Sequence, residues 1–240
     1  MKIRPDIHFF TQLQRSWAPL IDPDRVSFEA LPQQIEQFKT LGAACILVGG
    51  SHLATDHVSK TIQHIKNLCD LPVVLFPGPG MAVSAEADGL LFLSLLSGRN
   101  AELIIGQQVQ TAYRVAQSGL EVLGTAYLLV DGGKMTTAHY ISQTMPLPAD
   151  KPELAASTAL AAKFMGFPLC FLDAGSGALQ PVPAHLIRAV RTAHDGPLIV
   201  GGGIRRKEDM EQAWNAGANL VVVGTLFEEQ NPAADPWPLI

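Results

Sequence analysis

Leu198–Thr225 reads LIVGGGIRRKEDMEQAWNAGANLVVVGT. One apolar run ends in three glycines, and a second, LVVV, ends in Gly224-Thr225. Between them Arg205–Asp209 is polar, while Met210, Ala213, Trp214 and Gly217 fall at i, i+3, i+4 and i+7, the spacing of one helical face. The stretch predicts strand, glycine turn, helix, strand, glycine turn. Glycine inside a strand costs entropy and packs nothing. At a strand end it lets another group approach the backbone. Parallel strands joined by a helix place both turns at the same edge of the sheet. Backbone N–H groups and a helix N-terminus at that edge suit an anion such as phosphate. A lone glycine cluster reads equally well as a tight turn with nothing bound; the second turn at the matching position favours a phosphate site.

The same alternation runs back through the chain. PLID (Pro19–Asp22) is a short strand ending in an acid, and Phe28, Leu31, Ile35, Phe38 and Leu41 keep helical spacing up to Gly42. CILVGGS (Cys45–Ser51) is a strand, Val58, Ile62, Ile65 and Cys69 mark a helix, and VVLF (Val73–Phe76) is a strand stopped by PGPG. GLLFLSLL (Gly89–Leu96) is a fourth strand, followed by a helix over Ala101–Ser118 on Ile105, Val109, Ala112 and Ala116. Val122–Val130 is a strand, residues 131–152 a polar loop, Glu153–Met165 an alanine-rich helix, LCFLDAGSGA a sixth strand with a glycine-rich end, and Ala184–Thr192 a helix. Eight strands alternating with helices, with no linker or composition break, predict one domain over residues 1–240, an α/β fold of the (β/α)8 TIM-barrel type. A doubly wound sheet fits less well, because no dominant phosphate loop follows the first strand. Only PGPGMAVSAEADG separates the third and fourth strands, so the third barrel helix is expected to be truncated or missing, leaving a gap in the barrel wall.

Composition bounds the function. Of 240 residues, 48% are hydrophobic and 16% charged, enough for a large core. The net charge of −5 and the lack of a basic run exclude an electrostatic footprint for nucleic acid. The N-terminus lacks the apolar core of a signal peptide, and LLFLSLL falls short of the roughly 18 residues of a membrane span, so membrane contact is at most peripheral. Cys45, Cys69 and Cys170 are far apart and read as free thiols of a cytoplasmic protein. No histidine pair at i, i+4 suggests zinc. Trp17, Tyr113 and Trp214 read as core residues in preference to contact surface.

In a barrel, chemistry gathers at the C-terminal ends of the strands. Those ends carry Asp22, Gly49–Ser51, Asp173–Gly177, Gly201–Gly203 and Gly224–Thr225. An acid, a hydroxyl and bound phosphates form a Mg²⁺ arrangement, although Asp22 in DPD also reads as a simple turn residue. The ordered set IDPDR, LVGGS, VLFPG, LDAGSGA, PVP, IVGGGIR and VVVGT resembles the geranylgeranylglyceryl phosphate synthase family, in the branch whose first-strand motif reads like LIDPDK, from about Pro19 to Glu228.

The resemblance implies an Mg²⁺-dependent prenyltransferase joining the C3 hydroxyl of sn-glycerol 1-phosphate to a prenyl diphosphate, with geranylgeranyl as the prior for this branch. It implies a homodimer or higher homo-oligomer. By motif, Asp22 and Ser51 match the metal and diphosphate positions. Asp173 matches an acid, usually glutamate, at the glycerol hydroxyls, and is the expected catalytic residue. Ser176, Gly202, Gly203, Gly224 and Thr225 match the glycerol-phosphate cradle, with Phe171, Ala174, Gly175 and Gly177 beside them. The family also lacks a normal third helix, and its prenyl chain runs through the gap. Two departures stand out: Phe171-Leu172-Asp173 where the family has Tyr-Leu-Glu, and Arg25 for a lysine. The competing readings are another phosphate-binding barrel enzyme and a non-catalytic prenyl- or phosphate-binding protein.

Overall fold

The structure, a computed structural model, describes residues 4–54, 56–78 and 82–224. A short helix α1 (Ile7–Gln12) precedes β1 (Ser16–Ile21). Then follow α2 (Leu31–Thr40), β2 (Ile46–Val48), α3 (Val58–Leu68), β3 (Val73–Leu75) and β4 (Gly89–Leu95). A π-helical turn at Glu102–Gly106 leads into α4 (Gln107–Ser118), β5 (Glu121–Leu129), α5 (Thr137–Ser142), α6 (Pro152–Phe164) and β6 (Leu169–Asp173). The chain finishes with α7 (Ala184–Ala193), β7 (Leu198–Gly201), α8 (Lys207–Asn215) and β8 (Leu220–Val223). All eight strands are parallel and close into one barrel, in which Ser16 pairs with Leu220 and Pro19 with Val223. This is the expected (β/α)8 barrel. Among the described residues no helix lies between β3 and β4, as the short, proline-broken connection predicts.

Alternation along the strands divides the core in two. On β6, Cys170 and Leu172 pack outward against the helices, while Leu169 and Phe171 point into the lumen. Leu91 and Leu95 of β4, Leu123, Tyr127 and Leu129 of β5, and Ile199 of β7 fill the same interior. Phe10 of α1 joins that interior cluster at 1% exposure, closing the end from which the strands start. Asp6 caps α1 by accepting from the Phe9 N–H at 2.8 Å. The sequence gives no period long enough to reveal α1.

Three expectations need correction. The long polar loop after β5 contains α5, which is held at its start by reciprocal contacts between Thr136 and His139. The helix expected over Ala101–Ser118 begins as a π-turn, and its phase is different. Gln108, Thr111 and Val115 are buried, whereas Ala112 and Ala116 are exposed. Polar donors can face inward there because they find acceptors: the Gln108 amide nitrogen donates to the Leu93 and Leu103 carbonyls, and Thr111 to that of Gln107 at 2.7 Å. The apolar stripe Ile105, Val109 and Tyr113 is left outside, with Tyr113 84% exposed, so Tyr113 is not a core residue. Trp17 is buried, and Trp214 packs partly buried against the core.

Cys45 and Cys170 are buried free thiols, pushed up to about 12 by burial, and Cys69 is half-buried. No helix among the described residues is long and apolar enough to cross a membrane.

Candidate active site

Two cavities open at the C-terminal ends of the strands. The first holds most of the residues singled out from sequence. Asp22, Ser51, Phe171, Asp173, Ser176 and Gly177 line it. So do the turn Gly201–Gly203, Gly224 and Arg205. Ala174 and Gly175 lie in the turn between Asp173 and Ser176, and Ala174 is fully buried. Thr225 lies outside the described residues. The second cavity is an apolar slot walled by Leu93, Leu95, Leu103, Tyr127, Leu129 and Ala138. Leu93 and Leu95 belong to the LLFLSLL strand. Gly50, Ser51 and Phe76 line both cavities, so the two spaces meet there.

Each acid is placed by local structure. Asp22 follows the last residue of β1. Its Oδ1 accepts from the Asp24 N–H at 3.0 Å, and its Oδ2 lies 3.7 Å from Arg25 Nε. A side-chain carbon on Gly50 would sit 3.2 Å from that Oδ2, so the glycine keeps the space between Asp22 and Ser51 open. Burial pushes the Asp22 carboxyl up, and the Asp24 N–H and Arg25 pull it back. Asp173 ends β6 at a lumen-facing position and is 7% exposed. Its Oδ1 accepts from the Gly175 N–H at 2.7 Å, and its Oδ2 accepts from the Tyr127 hydroxyl at 2.5 Å. Burial raises its pKa, opposed by Tyr127, Gly175 and then His139.

The glycine turns are close-packed against this acid. Gly202 has φ +79°. A side-chain carbon there would lie 2.5 Å from the Gly175 nitrogen and 2.6 Å from Asp173 Oδ1, which only glycine avoids. The N–H groups of Arg205 and Arg206 both donate to Asp209 Oδ2, at 3.1 and 3.0 Å. These two N–H groups, just ahead of α8, are thus taken up by the helix's own carboxylate.

Several residues escaped the sequence reading. Tyr127 stands on β5 in register with Phe171. Phe76 stacks on Phe171 at 5.0 Å between centroids. Thr136 packs its hydroxyl side against Gly175. His139 is buried and its pKa is lowered by burial. Its Nδ1 accepts from the Thr136 N–H at 3.2 Å, and its Nε2 has no partner among the described residues. Lys134 brings Nζ to 3.6 Å from where a Gly177 side chain would begin, so a cation borders the glycine turn. Phe76 lies within the quoted VLFPG, but no local pattern marks the others, since strand register and loop packing bring them in.

The geometry has close counterparts. The profile of the PcrB family matches residues 11–235. A geranylgeranylglyceryl phosphate synthase of Chitinophaga pinensis is 45% identical over 216 residues, covering 90% of this chain and 86% of the relative. One from Thermococcus gammatolerans is 41% identical over 229 residues, covering 95% and 90%. The crystal structure of (S)-3-O-geranylgeranylglyceryl phosphate synthase from Thermoplasma acidophilum, in complex with its substrate sn-glycerol-1-phosphate, superposes with a TM-score of 0.89 at 33% identity, covering 97% and 94%. The family profile and these relatives span nearly the whole length, and the chain belongs to the PcrB family.

Proposed function

We propose that this chain transfers a geranylgeranyl group from its diphosphate to the C3 hydroxyl of sn-glycerol 1-phosphate, giving geranylgeranylglyceryl phosphate and pyrophosphate for ether-lipid synthesis. The observation that carries the reading is the junction at Gly50, Ser51 and Phe76. An apolar slot meets a polar cavity there, as a molecule with a prenyl tail and a charged head requires. A barrel acting on sugar phosphates alone has no use for the slot. The activity named for the two relatives above supports the same choice.

Mg²⁺ is part of the proposal, and the residues fit it. The Asp22 carboxylate and Ser51 hydroxyl are hard oxygen donors lining one cavity. No group of three or more acidic, imidazole or thiol side chains gathers among the described residues, so substrate phosphates and water would complete the shell. When bound, the ion supplies positive charge against the departing diphosphate.

The chain's own residues do the rest. The slot walls keep water from the developing allylic cation. The glycine turns hold the glycerol phosphate. The C3 oxygen forms its bond to prenyl C1 while the C1–O bond to the diphosphate breaks, the electron pair leaving with pyrophosphate. Asp173 takes the hydroxyl proton. The exposed stripe Ile105, Val109 and Tyr113 supports assembly into a homodimer or larger homo-oligomer. The same reading places the protein in the cytoplasm, with at most peripheral membrane contact.

A radiolabel assay with geranylgeranyl diphosphate and each glycerol phosphate enantiomer tests the reading. The expected outcome is transfer to sn-glycerol 1-phosphate with at least about tenfold preference, the worth of one well-placed hydrogen bond. Lack of transfer to either enantiomer overturns it. Gly202→Val is expected to raise KM for the glycerol phosphate about tenfold or more, given 1–3 kcal/mol of strain in the turn and a branched side chain in the anion's space. KM for the prenyl diphosphate should change little. Equal losses for both substrates in a variant with the wild-type circular-dichroism spectrum would count against the cradle.

A further inference from the structure

We propose that Tyr127 is the positioning residue of the acceptor site, its hydroxyl holding the Asp173 carboxylate in the one orientation that meets the acceptor hydroxyl. The role assigned to Asp173 rests on the function proposed above.

The geometry is specific. Tyr127 and Asp173 sit on neighbouring strands, where register pairs Tyr127 with Phe171 and Leu129 with Asp173. Alternation turns Tyr127 into the lumen with Phe171. From there the phenol reaches diagonally to Asp173 Oδ2 at 2.5 Å, the length of a charge-assisted O–H···O⁻ bond. The ring itself is fixed. It meets Phe76 edge-on at 5.7 Å and Phe171 edge-on at 5.6 Å, and little of it is exposed. The Gly175 N–H holds the other carboxylate oxygen. Two fixed donors, one from each side, leave the carboxylate little freedom to turn.

Tyr127 also stands between the two spaces. Its ring lines the apolar slot, while its hydroxyl bonds the acid of the polar cavity. Phe171 has no hydroxyl to offer, so the phenol beside the acid comes from the strand next door. The groups facing Asp173 are Tyr127 on β5, the Gly175 N–H on the following turn and His139 on α5. Asp22 and Arg205 line the same cavity, and Asp131 acts on His139. Of the groups acting on Asp173, Tyr127 does most to keep it ionised against burial.

Tyr127→Phe removes one oxygen and keeps the ring packing, so the variant is expected to fold with an unchanged circular-dichroism spectrum. Its kcat should fall about 10- to 100-fold, the worth of a hydrogen bond to a charged group, with KM for the prenyl diphosphate within about twofold. The acid limb of its pH profile should move to higher pH, because the carboxylate loses a donor that favours its charged form. In an Asp173→Ala background the same substitution should cost less than about twofold, since a group acting only through Asp173 has nothing left to act on. A raised prenyl KM, or the full loss persisting without Asp173, would make Tyr127 a slot wall and overturn the proposal.

A second measurement does not depend on turnover. The ¹³C signal of the Asp173 carboxyl, titrated in the unliganded protein, should have a higher midpoint in Tyr127→Phe than in the wild type. An unmoved midpoint sinks the proposal even in an active enzyme. An inactive wild type with a moved midpoint sinks only the transferase reading.

Discussion

Asp22→Asn is expected to reduce turnover by about 10³-fold or more while leaving the fold intact, because the charge that anchors Mg²⁺ and diphosphate is lost. The structure explains why the fold should survive. Asp22 lies past the end of β1, outside both hydrophobic clusters. Among the described residues its carboxylate accepts one backbone hydrogen bond, Oδ1 from the Asp24 N–H, and an asparagine carbonyl oxygen can accept the same bond. What the amide cannot replace is the second anionic oxygen beside Gly50 and Ser51. EDTA should abolish activity of the wild type, and added Mg²⁺ should restore it. A binding readout separates metal loss from other defects. Mn²⁺ titrated into the protein with inorganic pyrophosphate should give an electron-resonance binding curve in the wild type and at least tenfold weaker binding in Asp22→Asn. An EDTA-insensitive enzyme would remove the metal from the proposal, and an Asp22→Asn variant with normal turnover would remove Asp22.

The parts of this molecule that were legible in its sequence are those where local chemistry decides. Glycines after β6 and β7, and Gly224 after β8, announce strand ends because no other residue serves so well where backbones converge. That no helix lies between β3 and β4 among the described residues was legible because PGPGMAVSAEADG is too short and too proline-broken for a barrel helix. The missed parts are tertiary. α1 and α5 have six residues each, less than two turns, and exist because Phe10 plugs the lumen and because Thr136 and His139 close a cap. The face of α4 was misjudged because hydrophobic periodicity assumes that apolar residues go inside. Here Gln108 goes inside, bonded to two carbonyls, and Tyr113 stays out. Of the site, Asp22, Ser51, Asp173 and the glycines were found one motif at a time. Tyr127 was invisible, since nothing in EVLGTAYLL says that its register places a phenol beside an acid on the next strand.

Asp173→Ala is expected to lower kcat by about 10²–10⁴, the range for losing a positioned base. The effect on the fold must be separated from the effect on chemistry. Alanine would leave the Tyr127 hydroxyl and Gly175 N–H buried without their acceptor, at about 1–3 kcal/mol each, so this variant should also melt earlier. Asp173→Asn keeps an oxygen that can accept one of those bonds, yet it cannot take a proton. It should therefore melt closer to the wild type and lose comparable activity. KM for the prenyl diphosphate should change little in either variant, because Asp173 does not line the apolar slot. The short aspartate side chain is not adrift in a wide cavity. One carboxylate oxygen is held by Gly175 and packed against Gly202, and the other is held by Tyr127. The turns close around an aspartate, so the acceptor must come to the acid. If Asp173→Asn retains near-normal turnover, the acid takes no proton in this enzyme, and the hydroxyl proton must pass to another acceptor such as the departing pyrophosphate.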